Sequence, residues 1–153
     1  LNMCNFEDIY LLAQTGDAEA QYQLGIMYSR GTGDVQKSYA DSFEWLSKAA
    51  EQGHAKANYH LGSLYLHGDR CPMREDIVVC TKNESKARCY FDKAREAFEK
   101  DVGEGLLWLA AIYGKGLGVE ANHGKSEELL KLAAEFGNDE AKKMLSSSRR
   151  GSL

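Results

Sequence analysis

The chain repeats itself. Gly25 and Gly62, Tyr28 and Tyr65, Gly31 and Gly68, and Gly16 and Gly53 each stand 37 residues apart, so glycine and aromatic positions share one register. A unit of that length is one short helical pair and cannot bury its own apolar face. It must stack on neighbours, which predicts an open solenoid with much surface for its mass. Such surfaces bind more often than they catalyse.

With 153 residues, 43% hydrophobic and 27% charged, the chain has the composition of one ordinary folded domain. A net charge of −4 and a pI near 5.6 give no general attraction for nucleic acid or an anionic bilayer, where a clustered surplus of lysine and arginine is needed. The longest apolar run, Leu106 to Tyr113, is far short of the ~20 residues of a membrane span. The sequence starts at Leu1 and lacks the basic start and cleavage site of a signal peptide, so it reads as a fragment of a longer protein. A cytoplasmic setting is slightly favoured, with export of the parent left open.

Asn5, with Glu7 and Asp8 behind it, reads as a helix start and Gly16 as its stop, half a repeat over 5–16. The first full repeat, 17–53, puts Ala20, Leu24, Met27 and Tyr28 on one stripe and turns at Gly31 and Gly33. Its second helix, roughly Ser38 to Gln52, points Phe43, Trp45, Leu46, Ala49 and Ala50 inward. The second repeat, 54–102, copies the first helix with Ala57, Tyr59, Leu61, Gly62 and Tyr65. Tyr65 to Tyr113 then spans 48 residues, the excess falling in a loop insertion at 69–83 that holds the only proline, Pro72. Thr81 with Glu84 resembles a capping box and places the next helix start near Lys82. A third repeat follows at 103–137, then a terminal helix at 138–148 and a tail at 149–153, with fraying beyond Leu145. No strand signal is visible, and the fold class is all-α.

Ala20, Leu24, Gly25, Tyr28, Gly31, Gly33 and Val35, followed by Trp45, Ala49, Ala50 and Gly53, resemble the Sel1-like repeat, a relative of the tetratricopeptide repeat. The likeness runs from about Ala13 to Leu145. It implies a right-handed α-α superhelix acting as a non-enzymatic adaptor or scaffold in assembly or signalling. In the related tetratricopeptide repeats a concave groove is lined by first-helix positions around the leucine and just after the tyrosine. Carried over, these are Tyr22, Ile26, Ser29 and Arg30; Tyr59, Ser63, Leu66 and His67; and Leu107, Ala111, Gly114 and Lys115. Arg30, His67 and Lys115 form a column that suits an acidic peptide or protein segment through charge-assisted hydrogen bonds. Ordinary solvated charge at helix ends is the plainer alternative, and packing between helices is the plainer role for Tyr22 and Tyr59.

The rival class is a periplasmic or secreted protein that interacts with cell wall or β-lactams and has weak enzymatic activity, since some cysteine-rich relatives are linked to such recognition. Against it, Ser-x-x-Lys, Gly-x-Ser-x-Gly and His-Glu-x-x-His strings are missing, and no nucleophile sits beside a base. Cys71, Cys80 and Cys89 lie nine residues apart near His67, with Cys4 remote. That spacing leaves plain thiols, a loop disulfide or zinc open, but it lacks the short pairs of structural zinc sites, so no metal or cofactor is assigned. Gly118 to Ser126 superficially matches a phosphate-binding loop, but Val119 stands where the first glycine belongs, and the segment reads better as an inter-helix turn. Asn83-Glu84-Ser85 is a glycosylation sequon that matters only in a secretory lumen.

Overall fold

The structure is a computed structural model that describes residues 5–32, 35–70 and 78–150. The helices are α1 (Phe6–Gln14), α2 (Ala18–Arg30), α3 (Tyr39–Glu51), α4 (Ala55–His67), α5 (Glu84–Phe98), α6 (Gly105–Lys115), α7 (His123–Glu135) and α8 (Asp139–Arg150). The chain is all-α apart from an antiparallel pair of short strands, β1 (Asp69–Arg70) and β2 (Val78–Cys80). It divides into two compact units, Leu1–Tyr90 and Phe91–Leu153.

Small polar residues start these helices by accepting a free amide of the first turn. Asn5, Asp17, Ser38, Asn122 and Asn138 do so for α1, α2, α3, α7 and α8, and His54 does so for α4 through Nδ1. The turns from a second helix into the next first helix pass through Gly16, Gly53 and Gly137, with φ of 99°, 82° and 90°. Side chains rarely adopt that backbone, which explains why glycine recurs at the 37-residue register.

In the first unit α3 packs between α2 and α4. Leu46, Ala49, Ala50, Ala57 and Leu61 form one buried cluster, flanked by Ile26, Phe43, Leu64 and Tyr90. A second cluster, Ile9, Ala13, Ala20 and Leu24, packs under Phe6, Tyr10, Met27, Tyr28 and Trp45. A Cβ placed on Gly25 would lie 2.8 Å from Leu46 Cγ, so α2 and α3 approach too closely for a larger residue. In the second unit Leu106, Ala133 and Ala141 are buried under Leu107, Leu129 and Leu130, and Phe98 stacks on Trp108 at 5.6 Å. Gly105 faces the Phe98 carbonyl so closely that no Cβ would fit, and Ser126 Oγ donates to Ala110 O at 2.7 Å.

Four sequence expectations change. Helix α5 starts at Glu84, capped by Asn83, whose Oδ1 accepts from Lys86 N at 2.9 Å; Thr81 is not the cap because the chain turns helical two residues after Lys82. The insertion is not all loop, since its ends pair as β1 and β2, with Asp69 opposite Cys80. Nor does the chain fray after Leu145. Helix α8 continues to Arg150, with the Ser146 and Ser147 hydroxyls both donating to Lys143 O. Phe43 and Trp45 face inward only in part and cover the clusters rather than filling them. Gly33, Cys4, Cys71, Pro72 and the 151–153 end of the expected tail lie outside the described residues, as does the Cys80 side chain.

Leu61 is fully buried against Leu46, and Leu61→Ala is expected to lower unfolding free energy by about 2–5 kcal/mol through the cavity it leaves. Gly25→Ala is expected to cost about 1–3 kcal/mol by overpacking Leu46. Urea titration followed by circular dichroism measures both, and midpoints equal to the parent's would contradict this packing.

Candidate functional site

The first-helix positions singled out in the sequence fall on α2, α4 and α6. Ile26 and Ser29 on α2, with Ser63 and His67 on α4, come together around a hollow of about 200 Å³ in the first unit. Leu46 and Leu64 give it an apolar floor, and Tyr39, Ser42 and His60 complete its polar wall. The last three were not read from the sequence. Helical spacing marks an apolar stripe, but which second-helix hydroxyl meets a neighbouring helix depends on how the helices pack.

Arg30 and His67, each in the last turn of its helix, are exposed. Lys115 occupies the same place on α6 in the second unit and is also exposed, with Leu107 and Ala111 half-buried beside it. Among the described residues Arg30, His67 and Lys115 have no ion pair, whereas Lys48, Lys82, Arg95 and Lys131 each have a carboxylate within 3.3 Å.

Tyr22 and Tyr59 are half-buried. The Tyr22 ring stacks on His54 with centroids 4.7 Å apart, and its hydroxyl lies 3.3 Å from His60 Nε2. His54 Nδ1 accepts from Ala57 N, which leaves the ring proton on Nε2 to meet Glu19 Oε2 at 2.8 Å. A Glu19–His54–Tyr22–His60 chain therefore joins α2 to α4. Beside it, Gln52 Nε2 donates to Gly16 O at 2.9 Å and to Gln21 Oε1 at 2.8 Å, while Gln21 Nε2 donates to Ala13 O. Side-chain amides thus join three successive helices, a link with no periodic signature in the sequence.

Burial, followed by the positive charge of Arg30, pushes the His60 pKa down from 6.5 to about 4. Burial raises the Glu19 pKa, but the His54 and Gln23 hydrogen bonds outweigh it and leave it below the ordinary value. The Asp41 charge and burial push Tyr28 upward, burial being the larger cause.

Cys89 is exposed and free, and among the described residues no three potential metal ligands converge. No described helix is long and apolar enough to cross a membrane. The segment that resembles a phosphate loop is an inter-helix turn. Asn122 caps α7, and Lys125 Nζ lies 4.0 Å from the Tyr113 ring centroid.

Helical hairpins in tandem define a helical repeat protein of the tetratricopeptide-like kind. The Sel1 repeat family model matches residues 18–54, 55–97 and 103–138, and the chain belongs to that family. Sel1 repeat proteins are generally protein-interaction scaffolds and typically non-catalytic. Among solved structures the chain is similar to a protective antigen present in uropathogenic Escherichia coli strains that displays an SLR fold. The identity is 28% and the TM-score 0.60; the match covers 94% of this chain but 28% of that one. It is also similar to a Sel1 repeat protein from Oxalobacter formigenes, at 28% identity and a TM-score of 0.54, covering 92% and 96% of the two chains. Comparison with curated proteins gives no match.

The low pKa of His60 makes stability depend on pH. Above pH 6.5 His60 is neutral in both folded and unfolded chains. As pH falls from 6.5 to about 4 the unfolded chain takes up a proton that the folded one excludes, which removes up to roughly 3 kcal/mol. Glu19 acts in the same direction at lower pH, because its pair with His54 is lost as the carboxylate protonates. Thermal melts from pH 7.5 to 4 are expected to show a falling midpoint that His60→Gln flattens. Equal slopes in parent and variant would contradict this reading of His60.

Proposed function

We propose that this chain is a non-enzymatic protein-interaction scaffold that holds a peptide or protein segment of acidic character on its first-helix face. Family membership supports the scaffold reading. The observation that carries the finer reading is the absence of ion pairs at Arg30, His67 and Lys115 among the described residues, in a chain whose net charge is −4. Donors left without an ion pair at first-helix ends are available to a partner's carboxylates. They act most strongly where the face excludes water.

Tyr22, Ile26, Tyr59, Ser63, Leu107 and Ala111 are half-buried, so each keeps part of its surface open to a partner. Within each unit these positions are set before a partner arrives, so little ordering entropy opposes association there. A peptide library displayed on phage and selected against the purified chain tests the reading. Selected sequences are expected to be rich in aspartate and glutamate. Arg30→Glu with His67→Glu should weaken their binding at least tenfold at an unchanged melting temperature, while Lys100→Glu leaves it unaltered. Binders indifferent to the double substitution would overturn the proposed face.

A further inference from the structure

Ser42 is 3% exposed and lines the hollow between α2, α3 and α4. Its hydroxyl has no hydrogen-bond partner among the described residues, and it is not one of the side-chain atoms sealed off from solvent. A buried hydroxyl ordinarily finds a partner inside the protein, so one that faces a hollow is available to a ligand. Two neighbours share the condition: the Ser63 and Tyr39 hydroxyls also line the hollow without a partner among the described residues. Ser29 differs, because its hydroxyl already donates to Ile26 O at 2.7 Å.

The chemistry of the wall selects the ligand. No aspartate or glutamate lines the hollow, and three hydroxyls can each donate a proton toward its interior. His67 stands in the same wall without an ion pair among the described residues, and the field of Arg30 reaches far enough to act on His60. Ile26, Leu46 and Leu64 supply apolar surface for the stem of a side chain. At ~30 Å³ per water in the liquid, about 200 Å³ suits one side chain better than a length of backbone.

From these observations we infer that the hollow is an anchor pocket for a single carboxylate of the partner, held by the Ser42, Ser63 and Tyr39 hydroxyls with its aliphatic stem on Ile26, Leu46 and Leu64. The inference rests on the interaction face proposed above and names the group that face recognises. The carboxylate belongs either to an acidic side chain or to a chain terminus.

A bound anion would also be felt by His60, whose charged or titratable neighbours include Arg30, His54, Lys56, Tyr59 and the Tyr22 hydroxyl. Negative charge in the pocket favours the imidazolium, so the His60 titration midpoint rises when the pocket fills. A hydroxyl ligand carrying no charge would leave that midpoint in place.

The test uses the whole chain and three probes: N-acetyl-Leu-Glu-Leu-amide, its glutamine counterpart, and N-acetyl-Leu-Leu with a free carboxyl terminus. NMR follows the Ile26, Leu46 and Leu64 methyl groups and the His60 ring. The glutamate peptide or the free-terminus peptide is expected to shift those methyl groups at millimolar concentration and to raise the His60 midpoint. Whichever of the two binds more tightly identifies the source of the carboxylate. The glutamine peptide should bind at least tenfold more weakly, and Ser42→Ala should weaken the favoured probe several-fold at an unchanged melting temperature, with Ser63→Ala as an independent check. Equal affinity for the favoured carboxylate probe and the glutamine peptide, an unmoved His60 midpoint on binding, indifference to both serine substitutions, or no binding by either carboxylate probe would each overturn the anchor pocket. None of these results bears on the library selection, which tests the wider face by itself.

Discussion

Leu46 is the residue on which the first unit turns. It sits against the backbone of Gly25 in α2 and belongs to the buried cluster that includes Ala57 and Leu61 of α4. One second helix is therefore held from both sides, by α2 and by α4. The energetic logic is that of stacked repeats, in which each hairpin contributes half of an interface and borrows the other half. The alanines at 49, 50 and 57 matter for the same reason, since short side chains let helix axes come close while adding apolar area.

Close packing in the clusters leaves the exposed ends of the first helices to carry the chemistry. Arg30, His67 and Lys115 complement the negative end of a helix dipole, which is enough to place a cation there. Among the described residues none of the three has an internal carboxylate, a condition that Lys37, Lys86, Arg88, Lys100 and Lys125 share away from the first-helix ends. The Glu19–His54–Tyr22–His60 chain has the opposite character: its groups satisfy one another and join α2 to α4, which makes it a structural device with a pH-dependent strength.

Much of this was legible in the residues themselves. The 37-residue register fixed the helical hairpins, Asn5 announced the start of the first helix, and Gly16 and Gly53 announced turns that need positive φ. Errors came where a local pattern had two solutions. Thr81 and Asn83 both offer an oxygen to a helix start, and the choice went to the residue whose side chain meets Lys86 N. The serine run after Leu145 looked weak as helix, yet its hydroxyls bond back to Lys143 O and the helix continues.

By itself the sequence determined the all-helical repeat, its family and the placing of cations at first-helix ends, because these follow from spacing along the chain. Tertiary structure alone decided that Ser42, Tyr39 and His60 share a hollow with Ile26 and Ser63, and that Gln21 meets Gln52. Periodicity records which side of a helix faces inward. It carries no record of which atom on the next helix that side will meet, since that depends on the distance and angle at which the helices pack.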